Sequence, residues 1–101
     1  MASKPVRLHP EAEREYLEAL GWYRDRSAVV ASDFELAVSK AVQAIEGAPQ
    51  RWPSYFGVFR RYMLHRFPFG IVYQEMHSEV VVFAVAHGRR RPGYWRTRAE
   101  V

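Results

Sequence analysis

Apolar positions recur along this chain with two periods, first helical and then extended. From Pro10 onward, Ala12, Tyr16, Leu20 and Tyr23 follow at spacings of four, four and three, which draws one stripe along a helix. Pro10 suits the first helical position, where its missing N–H costs nothing, and Glu11 and Glu13 favour the positive end of the helix dipole. The pattern predicts a helix over Pro10–Arg26. A second stripe runs through Val30, Phe34, Val38, Ala41 and Ile45. Ser27 is a good cap for its start, and Ser32 and Asp33 offer a later one. Gly47 suits a left-handed residue after the last turn, and Pro49 prevents continuation. So tight a link between the two helices implies an antiparallel hairpin.

The second half reads as sheet. Phe69, Ile71 and Tyr73 lie on one side of a period-two pattern, and Val80–Val85 is an unbroken apolar run. Pro68 cannot donate a ladder hydrogen bond and marks a break. Three strands are expected, about Phe59–Phe67, Phe69–Gln74 and Val80–His87, antiparallel because their connections are too short for parallel crossovers. A short strand around Val6 and Leu8, opened by Pro5, precedes the helices and belongs at a sheet edge. The expected fold is α+β: an antiparallel sheet with the helical hairpin on one face, in the order β-α-α-β-β-β, as a single domain over residues 1–101. A last strand apolar on both faces is covered on both. The helices cover one; the other falls to the C-terminal tail, a partner chain or a second copy.

Composition adds charge. The chain carries a net charge of +4, so polyanions, either nucleic acid or an acidic protein, are its natural partners. It has no cysteine, which excludes disulfides and thiolate chemistry and fits the cytoplasm. No apolar run approaches the roughly 20 residues of a membrane span. Four histidines without clustered spacing give no reason to expect a metal, and nothing suggests a cofactor.

The cations concentrate around the sheet. On the first of the three strands, strict alternation puts Arg60, Tyr62, Leu64 and Arg66 on one face and Arg61, Met63 and His65 on the other. Arg89, Arg90 and Arg91 come just after the last strand. Guanidinium groups bind phosphate or carboxylate in bidentate fashion, but arginines also keep edge strands soluble. His87 beside arginines suits a general base near neutral pH, or it caps the strand through the next turn. With Arg60, Arg61 or Arg66 for the phosphate and Tyr94 for the leaving oxygen, it would complete a metal-independent endoribonuclease. Tyr94 and Trp95 either fold back on the sheet or stack on nucleic acid. Trp52, Tyr55 and Phe56 either lid the core or form a contact patch.

Taken in order, several features resemble a known family: Pro10-Glu11-Ala12 opening the first helix, Trp22-Tyr23 late in it, Phe34, Pro49, Arg60-Arg61, Phe67-Pro68-Phe69, Ile71-Val72-Tyr73, Val85-Ala86-His87 and the basic tail ending in Tyr94-Trp95. The set is similar to the ParE and RelE superfamily of toxins from bacterial type II toxin–antitoxin systems, the plasmid-stabilisation type, over nearly the whole chain. The resemblance implies the β-α-α-β-β-β fold, growth inhibition, and neutralisation by a cognate antitoxin, through which alone operator DNA is bound. RelE-like members cut mRNA on the ribosome and ParE-like members inhibit DNA gyrase. Ribonuclease members carry an arginine three residues before the strand tyrosine, where Gly70 stands here, and a histidine and tyrosine close together, where His87 and Tyr94 are well separated. His87-Gly88-Arg89 is closer to ParE. The expected function is therefore a toxin that binds gyrase; a ribosome-dependent ribonuclease and a non-toxic nucleic-acid-binding module are the alternatives. The expected antitoxin or target contacts are Arg60, Arg66, Arg89, Arg90, Arg91, Trp95 and whichever of Val81 and Val82 faces out of an open sheet face.

Overall fold

The computed structural model describes residues 4–99. Strand β1 (Val6–Leu8) leads into helices α1 (Pro10–Arg24) and α2 (Ala28–Gly47), followed by strands β2 (Arg60–Met63), β3 (Phe69–Glu75) and β4 (Val80–His87) and a 3-10 turn at Arg96–Ala99. The sheet order is β1-β4-β3-β2. β2, β3 and β4 are antiparallel neighbours, as their short links require. β1 lies at the edge and pairs with β4 in parallel, Val6 opposite Val80 and Leu8 opposite Val82, so the sheet is mixed. The helical hairpin and the strands after it supply the long connection a parallel pair needs.

Both helices start where the pattern places them. His9 caps α1, its Nδ1 accepting from the Glu11 N–H at 3.1 Å, with Pro10 at the first position. The helix ends at Arg24, two residues short of the expected Arg26 and one past the last residue of the apolar stripe. The Arg26 and Ser27 N–H groups turn back onto the Tyr23 carbonyl, and this frees Ser27 to cap α2. The Ser27 hydroxyl accepts from the Val30 N–H at 3.2 Å, which decides between the two candidate starts. Gly47 is not left-handed: it is the last helical residue, Ala48 leaves the helical region with φ −154° and ψ 70°, and Pro49 stops the helix.

Phe34 lies at the centre of the helix-side core, fully buried, with the rings of Tyr16, Tyr23, Phe67 and Phe69 around it at 5.1–5.8 Å between centroids. Phe69, Ile71 and Tyr73 point to this side, as their alternation predicts. β2 is shorter than the predicted Phe59–Phe67. Leu64 and Phe67 both bury in the helix-side core, and a spacing of three cannot be met by a flat strand. The chain bends after Met63, with the Leu64 N–H donating to the Phe69 carbonyl and the Phe69 N–H to the Phe67 carbonyl. Arg66 therefore leaves the strand face assigned to it beside Arg60 and meets Asp33 on α2 at 3.3 Å.

β4 also departs from plain alternation. Val72 pairs with Ala84 and Tyr73 with Val82, so Phe83 is an extra residue on β4, a bulge that reverses the facing of the residues on either side of it. Val80, Val82 and Val85 face the helices; Val81, Phe83 and Ala84 face the other way. That second face is not open. The tail turns back over it, and Trp95, 1% exposed, packs on Phe59, Val72, Val81, Phe83 and Ala84. Val81 thus lies beneath the tail, Val82 lies in the helix-side core, and Trp95 seals the groove in which the antitoxin was expected. Of the three candidate covers, the tail is the one observed.

Candidate functional site

On the tail side, β2 contributes Arg61 and Met63, β3 contributes Gly70, and the end of β4 with the segment after it contributes His87, Arg90, Arg91 and Tyr94. Together they line a cleft of about 80 Å³. Gly70 makes the cleft possible. A Cβ there would stand 2.9 Å from Met63 Sδ and 3.2 Å from Arg61 Cδ, so the bare backbone lets both side chains cross over β3. Arg61 then lies on the Tyr55 ring, 3.9 Å from its centroid, and Arg90 lies at the same distance over Tyr94. No acidic side chain lines the cleft among the described residues.

The loop before β2 forms the far wall. The Tyr55 N–H donates to the Phe59 carbonyl at 2.7 Å across a turn that holds Phe56 at φ 58° and Gly57 at φ 76°. A phenylalanine in the left-handed region is uncommon and is held by its surroundings. Phe56 packs edge-on to Trp95 and lies under Arg96, yet remains 41% exposed. Gly93, at φ 83°, is required opposite it, because a Cβ would meet Phe56 Cε1 at 3.2 Å and Arg96 Nε at 3.0 Å. Trp52 packs instead on Tyr62 at the rim of the helix-side core, so the aromatic loop is part lid and part surface.

The tail is secured by a network the charge pattern alone does not reveal. Glu15 on α1 is buried beside the end of β4. Its Oε1 accepts from the Val85 N–H and Arg98 Nη1, both at 3.0 Å, and its Oε2 accepts from the Tyr94 hydroxyl at 2.6 Å and Arg98 Nη2 at 2.9 Å. Arg98 Nη1 also donates to the Phe83 carbonyl at 2.8 Å. β1 reaches only to the Val82 register, so two side chains satisfy the β4 edge where a strand would otherwise pair. Burial, and then donation to Glu15, push the Tyr94 hydroxyl far above the usual tyrosine range. The signal for Glu15 was its spacing of three and four from Ala12 and Ala19, which places an acid inside an apolar stripe.

The ribonuclease set expected from the sequence is divided. Arg61, His87 and Tyr94 share the cleft. Arg60 points to the other side, where Nη1 donates to the Trp52 carbonyl at 2.6 Å, and Arg66 is with Asp33. His87 caps its strand: Nδ1 accepts from the Arg89 N–H at 3.0 Å, and the ring packs edge-on against Phe69. Tyr73 is fully buried and donates to the Pro49 carbonyl at 2.6 Å, fixing the loop after α2; burial pushes its hydroxyl up to about 12.

A larger cleft, about 480 Å³, opens between α1 and the adjoining ends of β3 and β4. Ala19, Tyr23, Pro68, Phe69 and Val85 make it apolar, Trp22 stands at its edge 54% exposed, and Arg89 and Arg90 border it. Sequence reading missed it, because an exposed Trp22 on a helix has no signature apart from its neighbours.

A search of curated proteins returned no match. Among solved structures, a chain described as "Chromosomal ParDE TA system from P. aeruginosa" shares the fold with a TM-score of 0.73, covering 84% of this chain and 96% of its own at 13% identity. The family model described as ParE toxin of type II toxin-antitoxin system, parDE, matches residues 6–92, from β1 through the basic turn beside the cleft. The chain belongs to the ParE toxin family.

Proposed function

We propose that this protein is the toxin of a type II toxin–antitoxin module, inhibiting growth by binding DNA gyrase. The observation that carries the reading is the family match over residues 6–92. The site supports a binding protein over a nuclease: Arg60 and Arg66 stand away from His87, whose Nδ1 is occupied, and the Tyr94 proton is held by Glu15. The test is a supercoiling assay with purified gyrase. Inhibition at micromolar toxin is expected, and normal supercoiling at that concentration would overturn the reading. The ribonuclease alternative draws support from Arg61, His87 and Tyr94 lining one cleft. Intact mRNA in a toxin-treated translating extract would exclude it.

The same reading implies a cognate antitoxin. With the tail over the second sheet face, an accessible apolar surface is the cleft between α1 and β4, edged by Trp22 and bordered by Arg89 and Arg90, with Glu18 also on its lining. An aliphatic segment with acidic flanks fits it, the apolar contact supplying most of the affinity and the arginines the association rate. Trp22→Glu is expected to weaken antitoxin binding at least a hundredfold, and Arg89→Glu to slow association and flatten its salt dependence. Unchanged binding by folded Trp22→Glu would move the antitoxin elsewhere.

A further inference from the structure

Arg61 and Arg91 at the small cleft over Gly70 belong to the arginines that pair with no carboxylate among the described residues, along with Arg26, Arg51, Arg60, Arg89 and Arg96. Arg7 pairs with Glu79, Arg14 with Glu11 and Glu18, Arg24 with Glu35, Arg66 with Asp33 and Arg98 with Glu15. Arg90 comes only to 4.0 Å from Glu15. Aromatic rings take the place of acids: Tyr55 under Arg61 and Tyr94 under Arg90. A guanidinium held over a ring keeps N–H donors available to a ligand. Three arginines border one cleft, with Gly70 at its base beneath the Arg61 and Met63 side chains.

We propose that this cleft is a binding site for a phosphate group, one that holds the anion without cutting it. A cleft of about 80 Å³ has room for a group the size of a phosphate. Charge favours an anion, since Arg61, Arg90 and Arg91 line the cleft with no acid among its lining residues, Glu15 standing 4.0 Å from Arg90. Cleavage is disfavoured because the two candidate proton carriers are engaged, His87 Nδ1 by the Arg89 N–H and the Tyr94 proton by Glu15. Phe56, exposed beside Arg96 on the adjoining wall, gives a base attached to that phosphate a ring to stack on. The inference does not depend on the target: a variant that loses phosphate binding but still inhibits gyrase, or the reverse, separates the two readings.

The experiment is an amide NMR titration of the full chain with inorganic phosphate, ionic strength held constant with sodium chloride. Saturating shifts centred on Gly70, Gly88 and Arg91 are expected. Arg61→Ala and Arg91→Gln should each weaken binding at least tenfold, and Arg66→Ala, on the opposite side, less than twofold. Arg91 is exposed, so its variant retains the fold. Gly70→Leu keeps every charge but meets Met63 and Arg61 where they cross the strand, displacing Arg61 from the cleft, and should abolish the shifts. A parallel titration with oligothymidylate identifies the source of the group: binding lost in the same variants assigns the site to a polynucleotide backbone, and phosphate binding alone assigns it to a free anion. Absence of saturation with both probes, equal shifts with acetate, or an Arg91→Gln response within twofold of wild type would overturn the proposal.

Discussion

The two faces of the sheet are closed by different chemistry. On the helix side, Phe34, Ile45, Ile71 and Val82 belong to a continuous hydrocarbon core, and the elements covering it are long amphipathic helices. On the tail side a smaller cluster centred on Trp95 is held down by a short segment, and that segment is pinned by Glu15, Arg98 and Tyr94. Hydrocarbon packing tolerates neighbours of many shapes, whereas a buried carboxylate must find its donors in fixed positions. The first face makes the domain stable, and the second places cations and rings around a bare glycine.

Phe34→Ala should give the largest loss, about 3–5 kcal/mol by urea denaturation, since Phe34 touches four other rings and leaves a cavity that cannot collapse. A loss below about 1 kcal/mol would place Phe34 outside the core and end the contrast. On the tail side, Arg98→Met leaves the Glu15 charge buried without its main partner, and the expected loss is about 3 kcal/mol. Adding Glu15→Met should lose less than the sum of the two single changes by about 0.5–3 kcal/mol, because the pair acts as a unit. Strict additivity would mean that the tail is held by Trp95 alone.

Alkaline pH sharpens the comparison. The Tyr73 hydroxyl is raised when folded, so the folded state holds its proton more tightly than the unfolded chain does. Its stability contribution is complete below the unfolded value near 10 and is lost as pH rises through about 12. Between those values stability should fall by at most about 1.4 kcal/mol per pH unit from this group. Tyr73→Phe should reduce the slope, measured by denaturant unfolding at several pH values; an unchanged slope would leave Tyr73 without a part in it. The smallest effect expected is Ser27→Ala, about 1 kcal/mol from the lost cap of α2. It should leave the phosphate titration unaltered, since Ser27 lies on the helix hairpin, away from the tail face.

The family resemblance was legible in ordered features spread over the chain, yet the cleft was not. Arg61 and Gly70 were each visible in the sequence, but what joins them is a cross-strand approach of a few ångströms. The predicted run of Phe59–Phe67 failed because Leu64 and Phe67 compete for the same core, a demand visible only once that core has a position. The Val80–Val85 run concealed its bulge, because six apolar residues in a row carry no phase.

Local chemistry settled what depends on neighbours along the chain. The helix stripes, the Pro10 start and the period-two side of β3 all come from spacing and backbone preference, which act over a few residues. Tertiary structure decided the parallel seat of β1, the closure of the second face by Trp95, and the burial of Glu15 against Val85, Tyr94 and Arg98. These bring together residues up to 83 positions apart. The energy of such contacts comes from desolvation and from donors placed in three dimensions, neither of which periodicity encodes.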